Sequence, residues 1–270
     1  WVILICVIVV VIVFIAACSV VYIVTMKALR HMSKKRQEED NPFAVFSMSR
    51  SNIEFIKTSN PNIVVSTNTI TFSGEEDSEI GVNVETKGLI CVGNKSHHTQ
   101  KVQISMKEGS IKYTLRTNPT LVVIPRGKAV EYEVFITPLC TCTLEDTIKL
   151  FIVDMKTSEE GSVDINIAGK THISTRLDPD ELEEEKKIGE GSFGIVYKGI
   201  FRRNVVAIKK MKETSSEKKG GIEEDEDKMS EFEQEVSMLD KYRSEYIVHF
   251  YGAVFIPTTV CMVTEYAEYG

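Results

Sequence analysis

A long apolar run opens the chain and differs from everything that follows it. Residues 1–24 contain no charged side chain. A helix of that length extends about 36 Å at about 1.5 Å per residue, enough to cross a hydrocarbon core of about 30 Å. Five cations come next: Lys27, Arg30, Lys34, Lys35 and Arg36. A processed signal peptide would carry its cations in front of the run instead. The pattern predicts a transmembrane helix over residues 1–26 and a basic juxtamembrane segment over residues 27–41, with residues 27–270 on the cytoplasmic side.

Apolar and polar residues then alternate with a period of two, which is typical of half-buried strands. The alternating runs lie at residues 80–84, 102–106, 111–115, 130–136, 148–152 and 163–167. Together with shorter runs at residues 63–65 and 70–72, they predict seven or eight strands in an antiparallel sandwich domain over residues 42–175. The pattern resembles an immunoglobulin-like sandwich of the major-sperm-protein kind, a resemblance that implies a fold and no chemistry.

No catalytic or metal-binding constellation is visible in the sequence of this middle domain. His97 and His98 are predicted to lie in a solvated loop, because no nearby carboxylate or cysteine cluster completes a metal site. Four cysteines are expected to be free thiols of a reducing compartment: Cys91, Cys140, Cys142 and Cys261. The net charge of −7 argues against a chain that binds nucleic acid.

A glycine-rich motif follows the sandwich. Acidic residues 178–185 end the alternation and predict a linker over residues 176–187, after which Gly-x-Gly-x-x-Gly begins at Gly189. A dinucleotide-binding loop would open a helix, whereas β-branched residues on both sides of the turn at residues 202–204 predict a hairpin. A Walker A loop is excluded as well, since no Lys-Ser or Lys-Thr follows Gly194. Glycines at the ends of two strands allow the backbone to approach phosphate oxygens and donate N–H groups.

A lysine and a glutamate complete this candidate nucleotide site. Val-Ala-Ile-Lys places Lys209 on a third strand, where its cation would meet the α- and β-phosphates of a nucleotide. Ser230 and Glu233 form a capping box, which predicts the start of a helix. Glu235 lies on the flank of the buried stripe of that helix, so we expect it to form an ion pair with Lys209. The polar segment before the helix, residues 214–227, is predicted to be a solvated loop.

These motifs follow one another in the order found in the N-lobe of protein kinases. After the glycine loop and Val-Ala-Ile-Lys come Phe-Glu-Gln-Glu-Val-x-Met-Leu, Tyr-Ile-Val-x-Phe-Tyr-Gly and Val-Thr-Glu-Tyr. The chain resembles the tyrosine-kinase-like branch and, with its predicted span, amoebal single-span transmembrane receptor kinases. The kinase N-lobe is assigned to residues 188–270. The chain stops at the hinge, so the catalytic base and the Mg²⁺ ligands are expected in a half that follows Gly270, and an ectodomain is expected before Trp1.

The resemblance implies ATP and Mg²⁺ as cofactors, with Lys209 and Glu235 as catalytic residues. The implied nucleotide contacts are Ile188, Gly189, Glu190, Gly191, Ser192, Phe193, Gly194, Val196, Ala207, Lys209, Thr264, Glu265 and Ala267. Phe193 would shield the phosphates from water, and Val196 would contact the adenine. Thr264 would be the gatekeeper, with hinge backbone groups offered by Glu265 and Ala267.

The fold class that follows is a membrane-anchored multidomain chain. It has one transmembrane α-helix, an all-β immunoglobulin-like sandwich, and a partial α+β kinase N-lobe with a five-stranded antiparallel sheet and one helix. The implied function is that of a plasma-membrane receptor kinase, which transfers the γ-phosphate of ATP to Ser/Thr or Tyr hydroxyls of proteins. The implied partners are membrane lipid, protein substrates and an extracellular ligand, with dimerisation left open. Without a catalytic loop this chain alone is expected to be inactive. The alternative is a pseudokinase, a kinase-like nucleotide-binding scaffold that signals by docking.

Overall fold

The structure of the protein is a computed structural model, and it describes residues 45–74, 78–191, 194–211, 221–242, 244–256 and 259–269. All elements named below lie in one compact unit, residues 46–270. The strands are β1 (Phe46–Ser47), β2 (Ile56–Lys57), β3 (Ile63–Val65), β4 (Thr69–Thr71), β5 (Thr86–Asn94), β6 (Gln100–Met106), β7 (Tyr113–Asn118), β8 (Leu121–Ile124), β9 (Lys128–Pro138), β10 (Thr143–Asp154), β11 (Glu160–Lys170), β12 (Leu182–Glu190), β13 (Gly194–Phe201), β14 (Asn204–Met211), β15 (Phe250–Val254) and β16 (Cys261–Glu265). The α-helix of the described residues, α1, spans Gly221–Lys241, and short 3-10 helices cover Met48–Arg50 and Pro179–Glu181.

Strands β1–β11 form a sandwich of two sheets. One sheet has the order β1-β9-β5-β3-β2, with β7 also paired to β9, and the other has the order β4-β11-β10-β6-β8. Alternate residues of β9 are fully buried, among them Val130, Val134 and Ile136. Burial of each such side chain stabilises the folded state by about 1.5–3 kcal/mol. The hydroxyl of Tyr132 crosses from one sheet to the other and donates to the carbonyl of Val102 at 2.9 Å. The period-two pattern therefore reports the two inner faces of a sandwich.

Two sequence expectations for the sandwich are corrected by the structure. The strand pairs are not all antiparallel, because β4 runs parallel to β11. Residues 80–84 form no strand: Ile80 makes an isolated bridge to Thr171, and the chain then turns. Asn83 has a φ of 62°, a left-handed conformation that ends an extended segment. The alternation of apolar residues at 80–84 therefore does not correspond to a strand.

In the loop predicted to hold a solvated histidine pair, His97 is exposed, whereas His98 takes part in a polar network. His98 Nδ1 lies 3.0 Å from a carboxylate oxygen of Asp154 at the end of β10. Burial alone would raise the pKa of Asp154, but the N–H groups of Lys156 and Thr157, together with the side chains of Gln100 and His98, hold this pKa well below its usual range. The sequence reading missed the contact because Asp154 is distant from His98 along the chain.

Strands β12–β16 form a separate antiparallel sheet, called the lobe sheet below, in the order β12-β13-β14-β16-β15. The predicted hairpin joins β13 to β14 through Arg202 and Arg203, with φ values of 46° and 70°. Two positive φ angles are typical of a two-residue hairpin turn. Helix α1 packs on the lobe sheet through Phe232 and Val236, which are buried against β15 and β16. The described lobe therefore has five strands and one helix.

The start of α1 differs from the prediction. The helix begins at Gly221, so Ser230 is an interior residue and does not cap the helix. The preceding segment, read as loop through residue 227, contributes its last residues to the helix, because Glu and Lys have favourable helix propensities. The first lobe strand, β12, likewise begins at Leu182, inside the acidic stretch that was read as a linker.

The predicted fold class is corrected by this architecture. It included one transmembrane α-helix, whereas the described part of the chain is mostly β with a single α-helix. That helix carries Glu, Asp and Lys along its length, and no helix of the described residues is long and apolar enough to cross a membrane. The predicted span, residues 1–26, and the juxtamembrane segment, residues 27–41, lie outside the described residues. The described cysteines, Cys91, Cys140, Cys142 and Cys261, form no disulfide and are buried, which confirms them as free thiols.

Candidate nucleotide site

The strand register brings four of the predicted site residues to one face of the lobe sheet. Val196 of β13 lies opposite Lys209 of β14, and Ala207 of β14 lies opposite Thr264 of β16. Directly paired residues of an antiparallel ladder share a face, as do residues two apart along a strand. Ile208, which lies between Ala207 and Lys209, is fully buried on the other side. The four residues therefore form one continuous surface beside the glycine loop.

The three glycines of the loop are not equivalent. A Cβ on Gly194 would lie 3.0 Å from the carbonyl carbon of Lys210 and closer still to its oxygen. A Cβ on Gly191 would meet no heavy atom of the described residues within 4 Å, and one on Gly189 would only touch Val196 at 4.0 Å. The N–H of Gly191 donates to the carbonyl of Gly194 at 2.9 Å, which closes the loop. The sheet therefore requires Gly194, whereas Gly189 and Gly191 leave room for a phosphate to approach the backbone.

Helix α1 brings Glu235 to Lys209. The ammonium group of Lys209 donates to both carboxylate oxygens of Glu235, at 2.9 and 3.3 Å. The two side chains are 36% and 48% exposed, so the pair contributes at most about 1 kcal/mol to the stability of the lobe. The position of the helix depends instead on Phe232 and Val236, which are buried. The ion pair thus orients a cation beside the glycine loop, while apolar packing holds the helix in place.

The predicted hinge residues lie at the end of β16. Thr264 is half-buried within the strand, and Ala267 is exposed beyond it. The N–H of Glu265 donates to the carbonyl of His249 at 2.7 Å, and the N–H of His249 donates to the Glu265 carboxylate at 3.2 Å. The N–H of Glu265 is therefore already paired within the lobe, and the roles of Thr264, Glu265 and Ala267 at an adenine stay predictions.

The remaining predicted contacts flank the glycine loop. Ile188 and Glu190 are exposed at the end of β12, and the Glu190 carboxylate accepts from the Lys187 ammonium at 2.5 Å. Ser192 and Phe193 lie outside the described residues. The structure therefore brings together Lys209, Glu235, the surface of Val196 and Ala207, and the glycines of the loop. The tip of the loop lies outside the described residues.

These groups fit a nucleoside triphosphate. The cation of Lys209 and the room at Gly189 and Gly191 suit phosphate oxygens, and the surface of Val196 and Ala207 suits a base. When Mg²⁺ is bound with ATP it neutralises charge on the phosphates. Among the described residues, no group of three or more His, Cys, Asp and Glu side chains is placed to hold a metal ion, and no residue of this chain is predicted as a metal ligand.

Sequence reading missed a contact between the lobe and the junction segment, residues 171–181, which connects β11 to β12. The N–H of Ala253 donates to the carbonyl of Thr175 at 2.8 Å, and the N–H of Leu177 donates to the carbonyl of Ala253 at 2.9 Å. Gly252, with a φ of 151°, permits this approach, because a Cβ there would lie 2.8 Å from the Leu177 side chain. The sequence signal for this contact was a single apolar residue, Leu177, at the edge of the acidic stretch.

The comparison with known proteins points to the lobe. Residues 182–270 match the family described as protein tyrosine and serine/threonine kinase. The chain is 39% identical over 94 residues to stress-activated protein kinase alpha of Dictyostelium discoideum, a match that covers 35% of this chain and 13% of that protein. It is 40% identical over 95 residues to dual specificity protein kinase shkB of the same organism, covering 34% of this chain and 13% of that protein.

A third relative matches over a longer stretch. The probable serine/threonine-protein kinase gdt9 of Dictyostelium discoideum is 28% identical over 181 residues, which are 67% of this chain and 10% of that protein. This stretch is longer than the region of the family match, so it includes part of the sandwich. The chain spans 10% to 13% of the length of these three relatives.

Among solved structures, the ASH / PapD-like domain of human CEP192 (PapD-like domain 7) is 12% identical and covers 47% of this chain and 98% of that domain. Its TM-score of 0.36 carries no argument about fold or function. The protein-kinase resemblance of the motifs is supported for residues 182–270, whereas the tyrosine-kinase-like branch and the receptor type stay predictions.

Proposed function

We propose that the protein is an ATP-dependent protein kinase whose phosphate-binding groups lie in residues 182–270. The observation that supports this most directly is the contact of Lys209 with both carboxylate oxygens of Glu235, at 2.9 and 3.3 Å. The pair contributes little to stability, so a structural reason for it is weak. Its chemical use is to hold an ammonium group where the α- and β-phosphates of ATP would lie.

The proposed reaction transfers the γ-phosphoryl group to a hydroxyl of a protein. Positioning and electrostatic stabilisation supply most of the catalysis in such a transfer. Of the relatives described above, shkB is named as a dual specificity protein kinase and gdt9 as a probable serine/threonine-protein kinase. We propose that this protein belongs to the tyrosine-kinase-like branch and prefers serine and threonine hydroxyls. The residues of this chain would bind and orient ATP, with Lys209 acting on the phosphates and Val196 and Ala207 on the base.

Adjacent lysines of β14 provide a matched test. Lys209 contacts Glu235 of α1 at 2.9 Å, whereas Lys210 forms an ion pair with Glu184 of β12 at 2.5 Å. The Lys209→Met variant of the full-length protein should lower autophosphorylation from MgATP about 10²–10³-fold, the effect of removing one preorganised donor from a transition state. The Lys210→Met variant should stay within about threefold of wild type, because it loses an ion pair with Glu184 and a distant contact with the Tyr197 ring, neither of which involves Lys209 or Glu235.

The same measurement decides between the proposal and its alternative. Autophosphorylation by Lys209→Met at the wild-type rate would contradict the assignment of this lysine. ATP binding without phosphoryl transfer in the wild-type protein would favour a nucleotide-binding scaffold. Phosphoamino-acid analysis of the product tests the hydroxyl preference, since phosphotyrosine alone would contradict a serine/threonine kinase.

A further inference from the structure

The junction segment is held on its sandwich side by hydrogen bonds and ion pairs. The N–H of Thr141 donates to the carbonyl of Arg176 at 2.8 Å. The ammonium group of Lys112 lies 2.7 Å from Asp178 and 2.6 Å from Asp180. The Asp178 side chain is only 10% exposed, and a partly buried pair holds its geometry better than a surface pair does. The backbone around Arg176 is therefore fixed relative to the sandwich.

The side chain of Arg176 reaches from the sandwich to the lobe. With the amide oxygen of Asn83 turned toward it, Arg176 donates from Nε and Nη2 to that oxygen at 2.9 and 3.2 Å. Its guanidinium carbon lies 4.0 Å from the centre of the Phe255 ring, just beyond β15. Burial lowers the pKa of Arg176, and the carboxylate of Glu233 on α1 opposes this shift. A planar cation therefore connects a sandwich loop to the aromatic surface beneath α1.

The contact continues from Phe255 to the helix. The rings of Phe255 and Phe232 pack edge to face, with centroids 5.5 Å apart. Phe232 is buried in the cluster that holds α1 on β15 and β16. Glu235 follows three residues later on the adjoining face of the helix. A shift of Phe232 therefore moves the carboxylate that contacts Lys209.

We propose that Arg176 is a positioning residue for the Lys209–Glu235 pair, acting through Phe255 and Phe232 and held by Asn83 of the sandwich. The sandwich then has a defined role, since it fixes the position of the helix that carries the nucleotide-site glutamate. The importance of this position for ATP use rests on the proposed function, whereas the packing of Arg176 on Phe255 and of Phe255 on the helix does not.

Amide hydrogen exchange tests the structural step without any activity. In the protein carrying Arg176→Met, residues 229–241 should exchange about three- to tenfold faster than in wild type, the effect expected when a partly desolvated cation–aromatic contact is lost. Arg126→Ala removes an exposed arginine from a sandwich turn and should change nothing in this helix. An unchanged helix in Arg176→Met, or an equal increase in Arg126→Ala, would overturn the proposal.

Two variants of Asn83 keep the test independent of folding defects at Arg176. Asn83→Gly tolerates the positive φ and removes the amide oxygen, so exchange of the helix should rise in the same direction. Asn83→Asp retains an acceptor for Arg176 and should restore wild-type exchange. Faster exchange in Asn83→Asp equal to that in Asn83→Gly would contradict the assigned contact.

The kinetic step is tested in the full-length protein. Arg176→Met should lower kcat about three- to tenfold while KM for ATP stays within about twofold, because the displaced glutamate matters most in the transition state. In a Glu235→Gln background the same substitution should have no further effect on kcat. An equal loss in both backgrounds would refute action through Glu235. Absence of phosphoryl transfer in wild type would contradict the proposed function, and the exchange experiment would then judge the positioning contact alone.

Discussion

Replacing Gly194 with alanine is expected to open the lobe sheet locally, whereas the same change at Gly191 is expected to leave it closed. Gly194 stands at the start of the ladder between β13 and β14, opposite Met211. An added Cβ would lie 3.0 Å from the carbonyl carbon of Lys210 and closer still to its oxygen, while ordinary contacts begin at 3.4 Å. The obstacle is backbone, which cannot rotate away as a flexible side chain could.

The expected magnitude follows from these contacts. Overpacking of this kind costs about 1–3 kcal/mol. Separating the strand ends also weakens one or two ladder hydrogen bonds, each worth about 0.5–1.5 kcal/mol. The total lies between about 1.5 and 6 kcal/mol, so local opening should be at least about tenfold more frequent. Alanine at Gly191 meets no described atom within 4 Å, so its effect on opening should stay below about 0.5 kcal/mol.

Cys261 provides a local probe of this opening. It lies opposite Lys210 in the ladder between β14 and β16, and it is fully buried. Burial raises the pKa of the Cys261 thiol to about 12, so labelling by a maleimide requires exposure of the thiol first. Cys91 in β5, whose pKa burial raises to about 11, serves as the internal reference in the sandwich. Mass spectrometry of the two labelled peptides gives both rates from one sample.

The reasoning predicts a specific pattern of rates. Gly194→Ala should accelerate labelling of Cys261 by at least about tenfold with little change at Cys91, and Gly191→Ala should leave both rates near wild type. A Cys261 rate in Gly194→Ala within twofold of wild type would refute the assigned backbone obstacle. Equal acceleration at Cys91 would show that the change acts on the whole protein and not on the ladder.

Three further changes test other parts of the fold. Arg203→Gly should stabilise the lobe by about 1 kcal/mol and slow Cys261 labelling about fivefold, because glycine adopts a φ near 70° without strain. Faster labelling of Cys261 in the Arg203→Gly variant than in wild type would contradict this prediction. The depressed pKa of Asp154 contributes stability above about pH 4 that is lost as the pH falls through the folded-state pKa. Urea midpoints measured by circular dichroism should therefore fall less on acidification in Asp154→Asn, and an unaltered pH dependence would contradict it. Tyr132→Phe removes the hydrogen bond to Val102 and should cost about 0.5–1.5 kcal/mol, seen as faster labelling of Cys91; an unchanged rate would contradict the role of this bond.

Sequence reasoning succeeded where local pattern and local chemistry agree. The strands β9, β10 and β11 follow from period-two alternation because each buries one face in the sandwich. The hairpin at residues 202–204 follows from β-branched residues on both sides of a polar turn. The expected contact of Lys209 with Glu235 rests on motif spacing, and the structure places the two within hydrogen-bond distance. For the strands and the hairpin the deciding information lies within a short window of the chain, and for the ion pair it lies in the order of the motifs.

The remaining features depend on a competing local signal or on residues far apart in sequence. The capping box at Ser230 had the right composition, yet the helix continues back to Gly221, since favourable propensity in the preceding residues outweighs one capping signal. The contact of His98 with Asp154 joins a loop to the end of β10, 56 residues along the chain. The acidic stretch that ends the sandwich was read as a spacer because its charges indicate solvent exposure, but Leu177 is buried against β15. Such contacts form only when distant segments of the chain have folded together.

The Lys209–Glu235 pair contributes little to the stability of the lobe, so other contacts must hold the geometry of the candidate nucleotide site. A half-exposed ion pair worth at most about 1 kcal/mol cannot hold a helix against competing forces. The geometry of the pair must therefore be set by the apolar residues beneath α1, and part of that surface is Phe255, covered by Arg176 of the junction segment. Under the proposed positioning role of Arg176, substitutions in the sandwich loop or junction segment would alter the candidate nucleotide site without changing any residue of the glycine loop or of the Val-Ala-Ile-Lys motif.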